Sequence, residues 1–128
     1  MIPVSTSAAP AAIGPYSQAI AAGGLLFVSG QLPIDPATGE FPSADAVDQM
    51  RQCLRNIAAI AEAAGASLSD VVKTTIYVTD LSRFAEINAG YAEAFAAPYP
   101  ARATVEVAAL PKGAAVEVDA ILALKGAV

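Results

Sequence analysis

The segment Pro98-Tyr99-Pro100-Ala101-Arg102-Ala103-Thr104-Val105-Glu106-Val107-Ala108, and after the turn Leu110-Pro111-Lys112-Gly113 the segment Ala115-Val116-Glu117-Val118-Asp119-Ala120, carry the reading that decides this fold. Both arms alternate with the two-residue period of a strand that has one polar side. Thr104 and Glu106 stand against Val105 and Val107, then Glu117 and Asp119 against Val116, Val118 and Ala120. Paired as a simple hairpin, the arms would set Glu117 opposite residue 106 and leave Arg102 several residues further along. At about 3.3 Å per residue, the two side chains would then lie too far apart to share one small molecule. They cooperate only if the strands pair elsewhere, or if a pocket draws on two subunits.

Arg102 is the only cation between Arg83 and Lys112. Pro98 and Pro100 restrict the backbone ahead of it, which holds its guanidinium in a narrow range of positions. A fork held that way is suited to clamp a carboxylate through two parallel charge-assisted hydrogen bonds. A strand-edge arginine in a surface ion pair has the same spacing, so both readings stay open. The same is true of Glu117, which reads as a solvated strand residue or as a functional one.

Upstream of this region the spacing predicts a helix from about Ser82 to Phe95, with the stripe Phe84, Ile87, Asn88, Tyr91 and Phe95. Asn88 is the misfit. An amide on an apolar face finds hydrogen-bond partners or costs on the order of 1–3 kcal/mol, so it is either satisfied by backbone or shapes a pocket. Asp70 to Thr79 predicts a strand with Val72, Thr74, Ile76 and Val78 on one face. Ser43 is expected to cap a helix running to about Ala64, with Gly65 just past its end. Its apolar stripe includes Met50, Cys53, Ile57 and Ile60. Cys53 thus reads as a packed core thiol, with no basic residue one turn away on the stripe to stabilise a thiolate. Residues 30–42 have turn chemistry throughout and read as an ordered loop. Tyr16–Ala22 and Leu25–Ser29 predict a hairpin about Gly23-Gly24, and residues 1–15 an Ala/Pro-rich arm. The order β-β-α-β-α-β-β is that of an α+β domain with two helices on one face of a sheet, the other face being left for a second subunit.

Composition narrows the chemistry. The 128 residues read as a single domain, 1–128, near the lower end of size for an enzyme. Hydrophobic residues make up 55% and charged residues 15%, a balance that favours oligomerisation. The formal net charge is −5 and the seven basic residues are scattered, so there is no footprint for nucleic acid. With no histidine and one cysteine, zinc fingers, Cys/His nucleophiles, intrachain disulfides and the usual transition-metal ligand sets drop out. The first 34 residues carry no charge, yet they lack a basic n-region and are broken by Pro3, Pro10, Gly14, Pro15, Gly23 and Gly24. No membrane segment is expected, and a cytoplasmic, soluble protein is the simpler reading.

Five collinear pieces carry a family resemblance: Gly14-Pro15-Tyr16-Ser17-Gln18-Ala19; Phe27-Val28-Ser29-Gly30-Gln31 with Pro33; Val72-Lys73-Thr74-Thr75 with Tyr77-Val78 and Asp80-Leu81; Pro100-Ala101-Arg102 with Val105-Glu106-Val107 and Leu110-Pro111-Lys112; and Glu117-Val118-Asp119-Ala120-Ile121. Together they resemble the RidA (YjgF) family of reactive-intermediate deaminases over nearly the whole chain. The resemblance implies a chorismate-mutase-like α+β fold, a mixed β-sheet with two helices on one face, assembled as a homotrimer with three pockets at the subunit interfaces. It implies that the last strand inserts away from its sequence neighbour. It also implies hydrolysis of enamine and imine intermediates, such as 2-aminoacrylate and 2-iminobutanoate released by pyridoxal-phosphate-dependent dehydratases, to 2-oxo acids and ammonia, with no cofactor.

Carried over residue by residue, the resemblance pairs Arg102 with the substrate carboxylate and has Glu117 hold or activate the attacking water. Tyr16, Ser29, Gly30, Asn88 and Thr104 line the pocket. Thr104 stands where the deaminase branch usually has cysteine, and the segment between Tyr91 and Arg102 is a few residues shorter than usual, departures that bear on pocket size and substrate preference. The alternatives are a non-catalytic regulator that binds a 2-oxo acid or another metabolite, and a ribonuclease, translation inhibitor or chaperone. Retention of both Arg102 and Glu117 favours the enzyme, and the acidic charge disfavours the nuclease.

Overall fold

The computed structural model describes residues 1–125. In chain order its elements are β1 (Ile2–Val4), β2 (Ala19–Ala22), β3 (Leu25–Gln31), α1 (Ala46–Ala63), β4 (Val71–Val78), α2 (Phe84–Ala92), β5 (Ala101–Glu106) and β6 (Val116–Ala123). The six strands form one sheet in the order β1-β2-β3-β6-β4-β5. β6 runs antiparallel to both β3 and β4, and β4 and β5 run parallel. The hairpin between the last two strands does not form. A parallel pair needs a crossover, which α2 supplies between β4 and β5, and β6 then returns into the middle of the sheet.

Alternation along β6 explains that position. Val116, Val118, Ala120 and Leu122 are buried under the helices, while Glu117, Asp119, Ile121 and Ala123 on the other face are half-buried. α1 packs across β6 and β3 and against α2, and its Met50, Ile57 and Ile60 meet Leu26, Ile76 and Leu122 in the core. Cys53 is buried among them, its thiol donating to the Val116 carbonyl at 3.7 Å. Both helices lie on one face, the α+β arrangement that the resemblance implies. The opposite face carries Phe27, 43% exposed, and Val105, 41% exposed.

Several boundaries differ from the sequence expectation, each for a local reason. The residues expected as an arm include β1, whose Ile2, Pro3 and Val4 pair with Ala21, Ile20 and Ala19. The following strand starts at Ala19 rather than Tyr16, because the buried Gln18 side chain ties down the arm. It accepts from Thr6 N at 2.7 Å and donates to Pro10 O at 2.7 Å. α1 is capped by Asp45, not Ser43: Asp45 Oδ2 accepts from Val47 N and Asp48 N, and Ser43 Oγ braces the cap by accepting from Asp45 N. Gly65 follows the helix with φ 76°, as expected. In β4 a bulge against β6 between Val71 and Lys73 buries Val71 and leaves Val72 45% exposed, displacing it from the core face. The second helix is shorter than its stripe: a 3₁₀ turn at Leu81–Arg83 precedes α2, and Phe95 lies past its end, stacked on Tyr91 at 4.7 Å between ring centroids. β5 begins at Ala101, so Arg102 lies inside the strand. Among the described residues, no helix is long and apolar enough to cross a membrane.

The loop between β3 and α1 is held from beneath by amides on α1. Asn56 Nδ2 donates to Leu32 O at 3.1 Å and Ile34 O at 3.0 Å, and Gln49 spans from Ser43 O to Ala115 N. Asn56→Ala should lower unfolding stability by about 1–3 kcal/mol, since it leaves loop carbonyls without their donor. Denaturant titration checks this, and a variant as stable as the parent would show that α1 does not hold the loop.

Candidate functional site

Arg102 is on the helix-facing side of edge strand β5, in register with Thr74 of β4. Phe84, Asn88 and Tyr91 recur at helical spacing and point one face of α2 at it. The guanidinium carbon lies 5.1 Å from the centre of the Tyr91 ring and 5.5 Å from that of Phe84, within cation–π range. Nη1 donates to Asn88 Oδ1 at 2.5 Å. This resolves the question of Asn88: its amide oxygen is taken by the arginine, not by backbone. Tyr91 is fixed in turn by a 2.8 Å hydroxyl bond to Thr74. Burial pushes the Tyr91 phenol up, opposed by that bond and by the Arg102 charge. Among the described residues Arg102 has no carboxylate partner, so the surface ion-pair reading finds no counterpart. Its guanidinium opens onto a recess of about 510 Å³ lined by Asn88, Tyr91, Ala92, Tyr99 and Pro100.

Thr104 lies two residues along β5 on the same side, in register with Ile76. Its Oγ1 is buried and has no hydrogen-bond partner among the described residues. An unpaired buried hydroxyl costs free energy where it sits.

Glu117 is elsewhere. It sits on β6 opposite Tyr77 of β4, whereas Arg102 sits on β5 beside Thr74. Thr74 and Tyr77 are three apart on one strand, so they point to opposite faces, and their neighbours do likewise. β6 and β5 flank β4, which adds two strand spacings of about 4.8 Å each. Within one chain the sheet therefore separates Arg102 from Glu117.

The remaining site residues gather on the Glu117 side. Gly30 lies in a bulge of β3, where two residues, Ser29 and Gly30, fall between the pairs Val28–Ala120 and Gln31–Val118. A Cβ at Gly30 would collide with Glu117 Oε2 and lie 3.1 Å from its Cδ. The missing side chain is the space that the glutamate occupies. Ser29 Oγ donates to Ser17 O at 2.6 Å and so points back into the chain rather than outward. Tyr16, 52% exposed, shares with Gly30 and Lys112 a recess of about 390 Å³. Lys112 holds a left-handed backbone at φ 59°, unusual for a residue with a side chain.

Burial, and then the charge of Asp119, push the Glu117 carboxyl above the usual glutamate range. Burial and Glu117 likewise push the Cys53 thiol upward, which leaves it protonated and unreactive. Sequence reasoning missed Tyr91, Tyr77 and Asp119. Tyr91 was visible on the Asn88 stripe, and Asp119 shares the alternation of Glu117, but a strand partner such as Tyr77 emerges only once register is known. Among the described residues there is no group of three or more His, Cys, Asp or Glu that could hold a metal ion.

Comparison with known proteins matches residues 6–124 to the family described as Endoribonuclease L-PSP. A RutC family protein of Sinorhizobium fredii is 65% identical over 122 residues, covering 95% of this chain and 97% of that protein. The 2-iminobutanoate/2-iminopropanoate deaminase of Escherichia coli is 50% identical, over 92% of this chain and 94% of its own. A crystal structure of RidA from an Antarctic Psychrobacter superposes with a TM-score of 0.92 at 48% identity, covering 97% of this chain and 100% of that one.

The raised Glu117 carboxyl has a stability consequence. The folded chain binds this proton more tightly than the unfolded chain does, so the ionised form opposes folding at neutral pH. That penalty disappears below the usual glutamate range, where both states are protonated, and it is complete once pH passes the folded value. Glu117→Gln should therefore melt above the parent at neutral and higher pH, by a margin that shrinks as pH falls from the folded value through the usual glutamate range. Calorimetric scans across that range check it, and a margin that grew in acid would mean that Glu117 is stabilised by charge.

Proposed function

The chain belongs to the Endoribonuclease L-PSP family, which embraces the RidA (YjgF) proteins, and from that premise we propose that it is a deaminase acting on reactive enamines and imines. Its substrates would be 2-aminoacrylate, 2-iminobutanoate and similar 2-imino acids, hydrolysed to 2-oxo acids and ammonia. The observation that carries this reading is Arg102, a guanidinium seated on Asn88, Phe84 and Tyr91 with no carboxylate partner among the described residues and an open recess before it. That is a site prepared for the carboxylate of a small acid. The deaminase name of the Escherichia coli relative points the same way.

Since Arg102 and Glu117 face opposite sides of one sheet, the proposed pocket lies between two copies in a homotrimer, Arg102, Asn88 and Thr104 coming from one subunit and Glu117, Gly30, Ser29 and Tyr16 from the next. Arg102 binds the substrate carboxylate bidentately and fixes the imine carbon in place. Glu117 accepts a proton from a water as its oxygen bonds to the carbon of the protonated imine, giving a carbinolamine with a neutral amine. Glu117 passes that proton to the nitrogen, and as the C–N bond breaks the carbinol hydroxyl gives its own proton to the Glu117 carboxylate, leaving the 2-oxo acid and ammonia. An imine carbon is already electrophilic, so orientation and one general base suffice, and no cofactor or metal enters. Substrates of this kind arise from pyridoxal-phosphate-dependent dehydratases, beside which the protein would work in the cytoplasm. The family description names an endoribonuclease, but a net charge of −5 opposes approach to a phosphate backbone.

Two variants separate the roles, and they also separate an enzyme from a metabolite sensor. Arg102→Ala and Arg102→Lys should abolish deamination and weaken 2-oxobutanoate binding roughly 30-fold or more, as loss of a desolvated charge pair does. Glu117→Gln should lose rate while still binding 2-oxobutanoate. Calorimetric titration is paired with an assay coupled to threonine dehydratase and corrected for spontaneous hydrolysis. Unchanged binding in Arg102→Ala would move the clamp elsewhere, and full activity in Glu117→Gln would remove catalysis from this carboxylate.

A further inference from the structure

Asp119 shares the open face of β6 with Glu117, two residues along, and the chemistry above does not use it. Side chains two apart on a strand emerge on the same face about 7 Å apart. A free aspartate would turn its charge away from such a neighbour. Asp119 is not free: the Tyr77 hydroxyl donates to its Oδ2 at 3.0 Å. Tyr77 stands directly opposite Glu117 and Asp119 opposite Thr75, so the tyrosine reaches diagonally from Glu117's own cross-strand position to hold the second carboxylate. On the other flank, the bulged pair Ser29 and Gly30 of β3 falls opposite Asp119 and brings Gly30 against Glu117.

Within one chain the surrounding groups do not neutralise this pair, and across the proposed interface the neighbouring Arg102 is engaged by the substrate carboxylate. β3 offers Ser29 and Gly30, neither charged. β4 offers Thr75, the neutral phenol of Tyr77, and Lys73, which stands opposite Ile121 and forms no salt bridge among the described residues. Beneath the sheet lies the protonated Cys53 thiol of α1. Glu117 and Asp119 themselves enter no ion pair among the described residues.

Resting on the reading of Glu117 as the water-activating base, we propose that Asp119 is a positioning residue: locked by Tyr77, it holds a fixed negative charge beside Glu117 and so strengthens Glu117 as a proton acceptor. The upward push on both the Glu117 carboxyl and the Tyr77 phenol, to which Asp119 contributes in each case, accords with this. A general base works best when its proton affinity lies near the working pH, and burial already moves Glu117 in that direction. Asp119 carries it further. Tyr77 thereby acquires a role too, as the clamp that keeps the second carboxylate from swinging into solvent.

The test is the acid limb of the kcat/KM profile in the coupled assay, for the full-length assembled protein. Asp119→Asn keeps the shape and still accepts from Tyr77, but removes the charge. It should move the acid limb to lower pH by about half a unit or more, the effect of one charge at 7 Å in a largely aqueous dielectric, and reduce kcat severalfold with KM little changed. Tyr77→Phe, which frees Asp119, should move the limb the same way by less. Carbon NMR titration of glutamate-labelled protein reads the same displacement directly at Glu117, whether or not a variant retains turnover. An unmoved limb and an unmoved Glu117 titration in Asp119→Asn overturn the proposal, even if activity falls. Glu117→Gln in the same assay tells the two failures apart: if it keeps full activity, the base itself was misassigned and the role of Asp119 goes with it, whereas if it is inactive and Asp119→Asn titrates like the parent, only the role of Asp119 is lost.

Discussion

The placement of β6 between β3 and β4 is the constraint on which the rest of this structure depends. It gives the last strand two antiparallel partners, buries Val116, Val118, Ala120 and Leu122 under α1, and pushes β5 to the edge of the sheet. A central strand covered on one side must alternate strictly, and β6 does. The same alternation turns Glu117 and Asp119 to the uncovered face. Burial of the core residues and presentation of the carboxylates are thus one event, and a register slip of one residue would undo both.

The edge position of β5 has the complementary effect. With β4 on one side only, Arg102 can lean over the sheet margin toward α2, where two rings and an amide hold it without neutralising it. An arginine more deeply enclosed would have required a carboxylate of its own. The half-site around Arg102 offers one guanidinium amid aromatic surface, while the half-site around Glu117 is acidic and bounded by a glycine that makes room for it. Each is chemically incomplete. Their complementarity, together with the exposed Phe27 and Val105 on the uncovered face, is what a pocket shared between subunits would use.

Much of this was legible in the sequence. The alternation in 115–124, the helical stripe from Met50 to Ile60 and the Gly23-Gly24 turn all appear where the residue pattern puts them, because each depends on neighbours within a turn or a strand. Val72 was placed on the core face and is exposed because of a bulge set by β6, and Phe95, placed on the helical stripe, packs at the margin of the core past the end of α2. β1 was hidden in an Ala/Pro-rich stretch, since its pairing depends on Gln18 gathering the arm from a distance. Arg102 and Asn88 stood out as residue types in unusual settings, whereas Glu117 read alone as a solvated strand residue and was singled out by the family resemblance. That Asn88 serves Arg102, that Gly30 makes room for Glu117 and that Tyr77 holds Asp119 are facts of strand order and register, which no local pattern encodes.

The central claim, that Arg102 and Glu117 act on one substrate from different subunits, is tested most directly by mixing two inactive variants. Arg102→Ala and Glu117→Gln proteins are unfolded together in equal amounts, refolded, and assayed for deamination against each refolded alone. If the sites lie between neighbouring subunits of a cyclic assembly, random mixing restores an intact Arg102–Glu117 pair at about one site in four, and activity should recover to about a quarter of the parent. A mixture that stays as inactive as its components, although its oligomers contain both variants, would place the whole site within one chain and contradict the account.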